Sequence, residues 1–122
     1  MAAKVLAIED EPTHAQLLLA ILTRAGYETV TETDSRNAVD RARKERPDVI
    51  LLDINMPAPS GYEIFEQLRA DKSTLAIPII MVTARTQRTE VELGLKMGAN
   101  DYVTKPFDAD DLLSSIGRVL QR

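Results

Sequence analysis

Four places in the sequence carry groups able to act on a ligand, and each stands just after a short apolar run. Val5-Leu6-Ala7-Ile8 runs into Glu9-Asp10-Glu11, and Val49-Ile50-Leu51-Leu52 into Asp53. Ile79-Ile80-Met81-Val82 ends in Thr83, and Tyr102-Val103-Thr104 leads to Lys105-Pro106. Four apolar residues in a row suit a strand buried on both faces of a parallel sheet. An unpaired acid is costly in such a core, so Asp53 belongs at the strand's open end. Three carboxylates drawn together repel and raise each other's pKa unless a cation holds them. Hard oxygen donors without nitrogen or sulfur favour Mg²⁺ over a transition metal. A divalent ion also docks a phosphoryl group, which Lys105 and the Thr83 hydroxyl are suited to bind from the other side. An Asp carboxylate facing such a group in line is a nucleophile able to form an aspartyl-phosphate. Catalysis there would rest on positioning and charge neutralisation.

The elements that must position these groups follow from pattern. Lys4 to Ile8 reads as a first strand. Pro12 suits the first turn of a helix, Ala15, Leu18, Leu19, Leu22 and Ala25 recur at helical spacing, and Gly26 stops it. Residues 27–31 are rich in β-formers, and their polarity predicts a sheet edge. Asp34 or Ser35 can cap a second helix with Ala38, Val39 and Ala42 inward, closed by Pro47. The third strand is 49–53. Residues 54–59 are too proline-rich for helix or central strand. Ser60-Gly61-Tyr62-Glu63 has the form of a capping box, opening a third helix with Ile64, Phe65 and Leu68 on one face. Residues 77–83 form the fourth strand, with Pro78 near its start. A fourth helix is expected over 87–97, although Val91, Leu93, Leu95 and Met97 alternate and Gly94 sits inside it. A fifth strand over 101–104 leads to a last helix capped by Asp108, with Leu112, Leu113, Ile116, Val119 and Leu120 on its apolar stripe. Five strands alternating with five helices imply an α/β fold of parallel βαβ units with helices on both faces.

Composition narrows the function. A chain of 122 residues, 44% hydrophobic and 28% charged, fits one folded domain over 1–122. With no cysteine and one histidine, His14, thiolate and His-rich metal sites are excluded. The net charge of −4 argues against nucleic-acid binding by bulk charge. No apolar stretch is long enough to span a bilayer and no signal-peptide pattern opens the chain, so a cytoplasmic location is expected.

Four motifs in order, Val5-Leu6-Ala7-Ile8-Glu9-Asp10-Glu11, 47–57 with Gly61, 78–84 and 98–107, give the sequence a further meaning. Over essentially its whole length it resembles the receiver domain of two-component response regulators, chemotaxis regulators among them. The resemblance implies a flavodoxin-like doubly wound sheet in strand order 2-1-3-4-5. It implies that Asp53 accepts phosphate from a sensor histidine kinase or a histidine phosphotransfer protein, with Mg²⁺ as cofactor. Asp10 would bind the ion directly, Glu9 directly or through water, and Asp53 and the Asn55 carbonyl would complete the protein ligands. Lys105 would pair with Asp53 and then with the phosphoryl group, helped by a cis peptide before Pro106. Thr83 and Tyr102 would move as a switch and remodel the surface of helix 4, strand 5 and helix 5, where an output protein or domain binds. The domain would modify only itself rather than turn over a substrate. It would bind neither nucleic acid nor membrane, as a monomer or a phosphorylation-dependent dimer, and both a stand-alone receiver and a domain of a longer protein fit. Glu9 replaces the more usual Asp, Pro59 stands where Met is common, and Asn55 and Arg85 occupy rate-tuning positions. Arg85 is expected to attract anionic phosphodonors.

Blander readings stand beside these. Asp53 alone would be a strand-end carboxylate capping a turn. Thr83 alone would be a hydrogen-bonded strand terminus, and Tyr102 a packed edge residue with a wet hydroxyl. His14 is expected to be exposed in the first helical turn. Two other functions compete. Asp53-Ile54-Asn55 is similar to the Asp-x-Asp of haloacid-dehalogenase enzymes, but a small Mg²⁺-dependent phosphohydrolase of that kind needs an acid at 55. A flavin binder on the same fold class would need phosphate donors where Glu9-Asp10-Glu11 would repel one.

Overall fold

Every residue of Val49–Asp53 is buried, as a strand flanked on both edges and covered on both faces must be. The computed structural model describes residues 2–84, 88–106 and 108–121. In it β1 (Lys4–Ile8), β2 (Glu28–Glu32), β3 (Val49–Asp53), β4 (Ile79–Ala84) and β5 (Asp101–Lys105) alternate with α1 (Pro12–Arg24), α2 (Ala38–Glu45), α3 (Gly61–Ala70), α4 (Arg88–Met97) and α5 (Ala109–Leu120). All neighbouring strands are parallel, in the order β2-β1-β3-β4-β5. This is the doubly wound, flavodoxin-like arrangement expected, and β2 is indeed an edge strand.

Strand alternation sorts the core into two layers. Leu6, Ile8, Ile50, Leu52, Ile79 and Met81 meet Ala38, Ala42, Ile64, Phe65 and Leu68 of α2 and α3. Val5, Ala7, Val49, Leu51, Ile80 and Val82 meet Leu18 and Leu22 of α1 and Leu112, Ile116 and Val119 of α5. Each fully buried Leu, Ile or Val stabilises the fold by about 1.5–3 kcal/mol. A one-residue slip would exchange the two layers, so the register is fixed along the sheet's centre.

Local chemistry sets the helix ends. Glu11 caps α1 by accepting the Thr13 N–H, and Pro12 occupies the first turn. Ser60 and Glu63 form the expected capping box of α3, and Asp108 caps α5. Asp34 caps a single 3-10 turn over Ser35–Asn37, not α2 itself. Arg46 closes α2 in the left-handed conformation at φ 48°, ahead of Pro47. Tyr27 is spent on closing α1, its N–H donating to the Leu22 carbonyl, so β2 starts one residue later than expected. Pro78 has no N–H for the ladder; β4 begins at Ile79, whose N–H donates to Asn100 Oδ1 at 2.9 Å. Leu19 is 39% exposed and Ala25 lies beyond the helix, so the buried stripe of α1 is narrower than its apolar content.

The irregular pattern of α4 has a packing cause. Gly94 is buried against β4, where an added Cβ would stand 2.4 Å from Met81 Sδ. The residue that weakens the helical pattern is the one that lets the helix close on the sheet. Gln87 and the side chains of Val91 and Leu93 lie outside the described residues.

Two predictions follow from packing and charge. A Cβ on Gly61 would meet backbone, 2.3 Å from Ile54 Cα and 2.6 Å from the Asp53 carbonyl oxygen. Gly61→Ala should cost about 1–3 kcal/mol by overpacking, read by chemical denaturation. Gly94→Ala should cost less, because only the flexible Met81 side chain must yield and helix propensity gains up to about 1 kcal/mol. Equal costs would contradict this account. The second concerns Asp71, whose Oδ1 accepts from the Ser73 hydroxyl and N–H and whose Oδ2 accepts from Arg43 of α2. These bonds, Ser73 first, hold its carboxyl at about 2, below the ordinary 3.8. A depressed folded-state pKa stabilises at higher pH and loses that contribution as pH falls through the folded value. The Tm gap between the wild type and Asp71→Asn should therefore be widest above about pH 4 and close toward about pH 2. A gap constant across that range would contradict the assignment.

Candidate functional site at the carboxyl edge of the sheet

In a doubly wound sheet the ligand crevice opens where the chain reverses its direction of winding. Here that point lies between β1 and β3, and the acids stand at the carboxyl ends of those two strands. Glu9 and Asp53 are 1% and 2% exposed, and Asp10 is half-buried. One carboxylate oxygen from each of the three lies within 4.8 Å of the others. The sequence separation of 43 positions between Asp10 and Asp53 is closed by the parallel pairing of β1 with β3.

Lys105 enters from the end of β5, two strands from Asp53. Its Nζ lies 3.0 Å from Glu9 Oε1 and 3.3 Å from Asp53 Oδ2. The peptide joining it to Pro106 is cis, as expected, and so is the one between Ala58 and Pro59. Asp53 Oδ1 accepts the Asn55 N–H at 2.9 Å, which turns the chain sharply after β3. Asn55 Oδ1 accepts the Ala84 N–H at 3.3 Å and ties this loop to the end of β4. Gly61, at the start of α3, lies directly behind the Asp53 carbonyl, leaving no room for a side chain.

Among the described residues, two carboxylates facing one ammonium leave a negative charge uncompensated in a dry place. Burial, reinforced by Asp53, pushes the Glu9 carboxyl up to about 7 against the opposing pull of Lys105 and the Glu11 N–H. Burial works against the Lys105 ammonium as well, but its close contact with Glu9 and the charges of Asp53 and Glu9 outweigh it and raise its pKa. Glu9 Oε2 accepts the Glu11 N–H at 3.2 Å. Glu9 Oε1, despite the ammonium at 3.0 Å, is a buried atom with no well-directed hydrogen bond among the described residues. An under-satisfied carboxylate oxygen, excess negative charge and an all-oxygen donor set fit a divalent cation such as Mg²⁺. Glu9, Asp10 and Asp53 would hold it.

Thr83 is fully buried at the end of β4, opposite Thr104 of β5, and its hydroxyl donates to the Ala84 carbonyl at 3.5 Å. Tyr102 is 41% exposed on edge strand β5, beside Met81 in register. Arg85 lies outside the described residues. One residue that sequence reasoning set aside joins the site. His14 was expected to be merely exposed, yet its half-buried ring brings Nδ1 to 3.1 Å from Lys105 Nζ and 3.9 Å from Glu9 Oε1. The reason is topological: α1 starts four residues after Ile8, so its first turn stands over the mouth of the site. The spacing of His14 four residues past Asp10 was the available signal.

Comparison with known proteins agrees with this geometry. Residues 5–117 match the model of the response regulator receiver domain. The chain is 41% identical over 118 residues to protein PilH of Pseudomonas aeruginosa, covering 97% of this chain and 98% of PilH. It is 38% identical over 122 residues to the alkaline phosphatase synthesis transcriptional regulatory protein PhoP of Bacillus subtilis, of which it spans 50%. Among solved structures it is similar to the receiver domain of a sensor histidine kinase from Pseudomonas aeruginosa, described with a magnesium ion coordinated in the active-site cleft. That similarity covers 100% of both chains at a TM-score of 0.90 and 31% identity. Sheet order, the acids at the switch point and the matched span together place this chain in the response regulator receiver domain family of two-component systems.

Proposed function

We propose that Asp53 is the acceptor of a phosphoryl group in a Mg²⁺-dependent reaction, and that all of 1–122 acts as one receiver unit. The observation that carries the reading is Asp53 itself: a carboxylate 2% exposed, facing Lys105 Nζ at 3.3 Å, within one acidic cluster with Glu9 and Asp10. An Asp53 oxygen attacks phosphorus, and the P–N bond of a phosphohistidine on a sensor kinase or phosphotransfer protein breaks. The bonding pair leaves on the imidazole nitrogen, and Asp53 becomes an acyl phosphate. Hydrolysis returns the carboxylate and inorganic phosphate. Bound Mg²⁺, held by Glu9, Asp10, Asp53 and the Asn55 carbonyl, would neutralise phosphoryl charge. Lys105 exchanges its carboxylate partner for a phosphoryl oxygen. The protein's work is then placement and charge, applied to its own side chain.

The output follows the same logic. Thr83 moves to hydrogen-bond the phosphoryl oxygen, and Tyr102, exposed when Thr83 is turned to Ala84, rotates inward. A groove of about 350 Å³ along β5 and α5, lined by Asp101, Tyr102, Thr104, Ser114 and Arg118 among others, supports this face as the one that meets an output protein or domain. The reading includes a cytoplasmic location. A phosphohydrolase is disfavoured because position 55, where it needs an acid, holds an amide engaged with the Ala84 N–H.

Incubation with Mg²⁺ and acetyl phosphate, followed by intact mass measurement, tests the acceptor. A single hydroxylamine-labile phosphate adduct is expected, lost in Asp53→Asn and on chelation with EDTA. Turnover of external phosphomonoesters with no adduct, or an adduct that persists in Asp53→Asn, would sink the reading.

A further inference from the structure

The Lys105 ammonium has three hydrogens to give and no lone pair. Among the described residues three groups surround it: His14 Nδ1 at 3.1 Å and Asp53 Oδ2 at 3.3 Å lie at hydrogen-bonding distance, and Glu9 Oε1 forms an ion pair at 3.0 Å. They come from three elements: the end of β1, the first turn of α1 and the end of β3. Two of the three are altered by the reaction proposed above. Glu9 is drawn to the cation, and Asp53 gains the phosphoryl group. Of these three, His14 is the partner that neither event consumes.

The distances assign the ring's role. At 3.1 Å the imidazole is within hydrogen-bonding reach of Lys105, whereas 3.9 Å to Glu9 is too long for one. Since an ammonium only donates, Nδ1 accepts, and the ring hydrogen belongs on Nε2. The backbone beneath the ring is also anchored. Glu11 accepts the Thr13 N–H at 2.9 Å with its side chain and the Ala15 N–H at 2.9 Å with its carbonyl, and Pro12 fixes the turn between them. The backbone carrying His14 is thus held on both sides, whereas Lys105 hangs on a flexible four-carbon stem.

We propose that His14 is a positioning residue for Lys105. Its Nδ1 keeps the ammonium at the mouth of the site as the carboxylates change partners, so that the charge meets the incoming phosphoryl oxygens in a fixed direction. The inference rests on Asp53 being the acceptor, and it gives α1 a part in a reaction whose other groups stand at strand ends.

The test has two arms on the 122-residue chain. The first is ¹⁵N NMR of the His14 ring without Mg²⁺ or phosphodonor, at about pH 8 where histidines are neutral. The Nε2–H tautomer is expected, with an Nδ1 resonance that shifts in Lys105→Ala. The second is the rate of adduct formation with Mg²⁺ and acetyl phosphate. His14→Ala should lower the maximal rate by about fivefold, the worth of one hydrogen bond, with little change in KM. His14→Asn, whose amide oxygen can accept in place of Nδ1, should recover most of it, and His14→Phe should not. An Nδ1–H tautomer, a ring indifferent to Lys105→Ala, or a His14→Ala rate within about twofold of wild type would overturn the proposal. An adduct surviving in Asp53→Asn would instead overturn the acceptor assignment and leave the NMR result standing.

Discussion

One ammonium between two buried carboxylates governs this structure. Glu9 and Asp53 are almost fully withdrawn from water, and Lys105 lies against both. Removing the partner of a buried charge typically costs about 3–5 kcal/mol, because the remaining ion is left unsolvated. The fold must therefore bring β5 to the same edge as β1 and β3, and hold it there. Yet one cation does not balance two anions. The surplus shows in the raised pKa of Glu9 and in its under-satisfied Oε1. A site stabilised by a partner it shares, and short of positive charge among the described residues, suits a cation.

The sheet supplies the rigidity that such a site needs. Its central strands are buried on both faces, and their alternating side chains lock into two separate layers. Small residues then let the surrounding helices approach. Gly61 brings α3 against the backbone of Asp53, and Gly94 brings α4 against Met81 of β4. The first closeness pins the strand that ends in Asp53. The second seats α4 directly on the strand that ends in Thr83. The site is thus continuous with the packing of both layers.

Much of the fold was legible because each device was local. The apolar runs marked β1, β3 and β4, the Ser60–Glu63 capping box marked α3, and Asp108 marked α5. The misreadings were local as well. Tyr27 looked like strand but closes α1 through the Leu22 carbonyl. Leu19 looked like core but faces outward on a helix whose buried stripe is narrow. Gly94 looked like a flaw in α4 until the position of Met81 explained it. His14 was passed over because nothing in its neighbours along the chain announces Lys105, 91 positions away.

The sequence by itself determined the kinds of group available and the order in which they appear. Acids follow the first and third apolar runs, a threonine the fourth and a lysine the fifth, and an alternating pattern commits the chain to parallel βαβ units. These are consequences of period, burial cost and turn chemistry, which act over a few residues. Tertiary structure alone decided which of those groups share a charge. The strand order set β1 beside β3, the reach of Lys105 across β4 joined it to both acids, and the entry of α1 over the mouth added His14. Electrostatic partnership depends on distance through space and on the exclusion of water, and neither is defined until the sheet has closed its two layers.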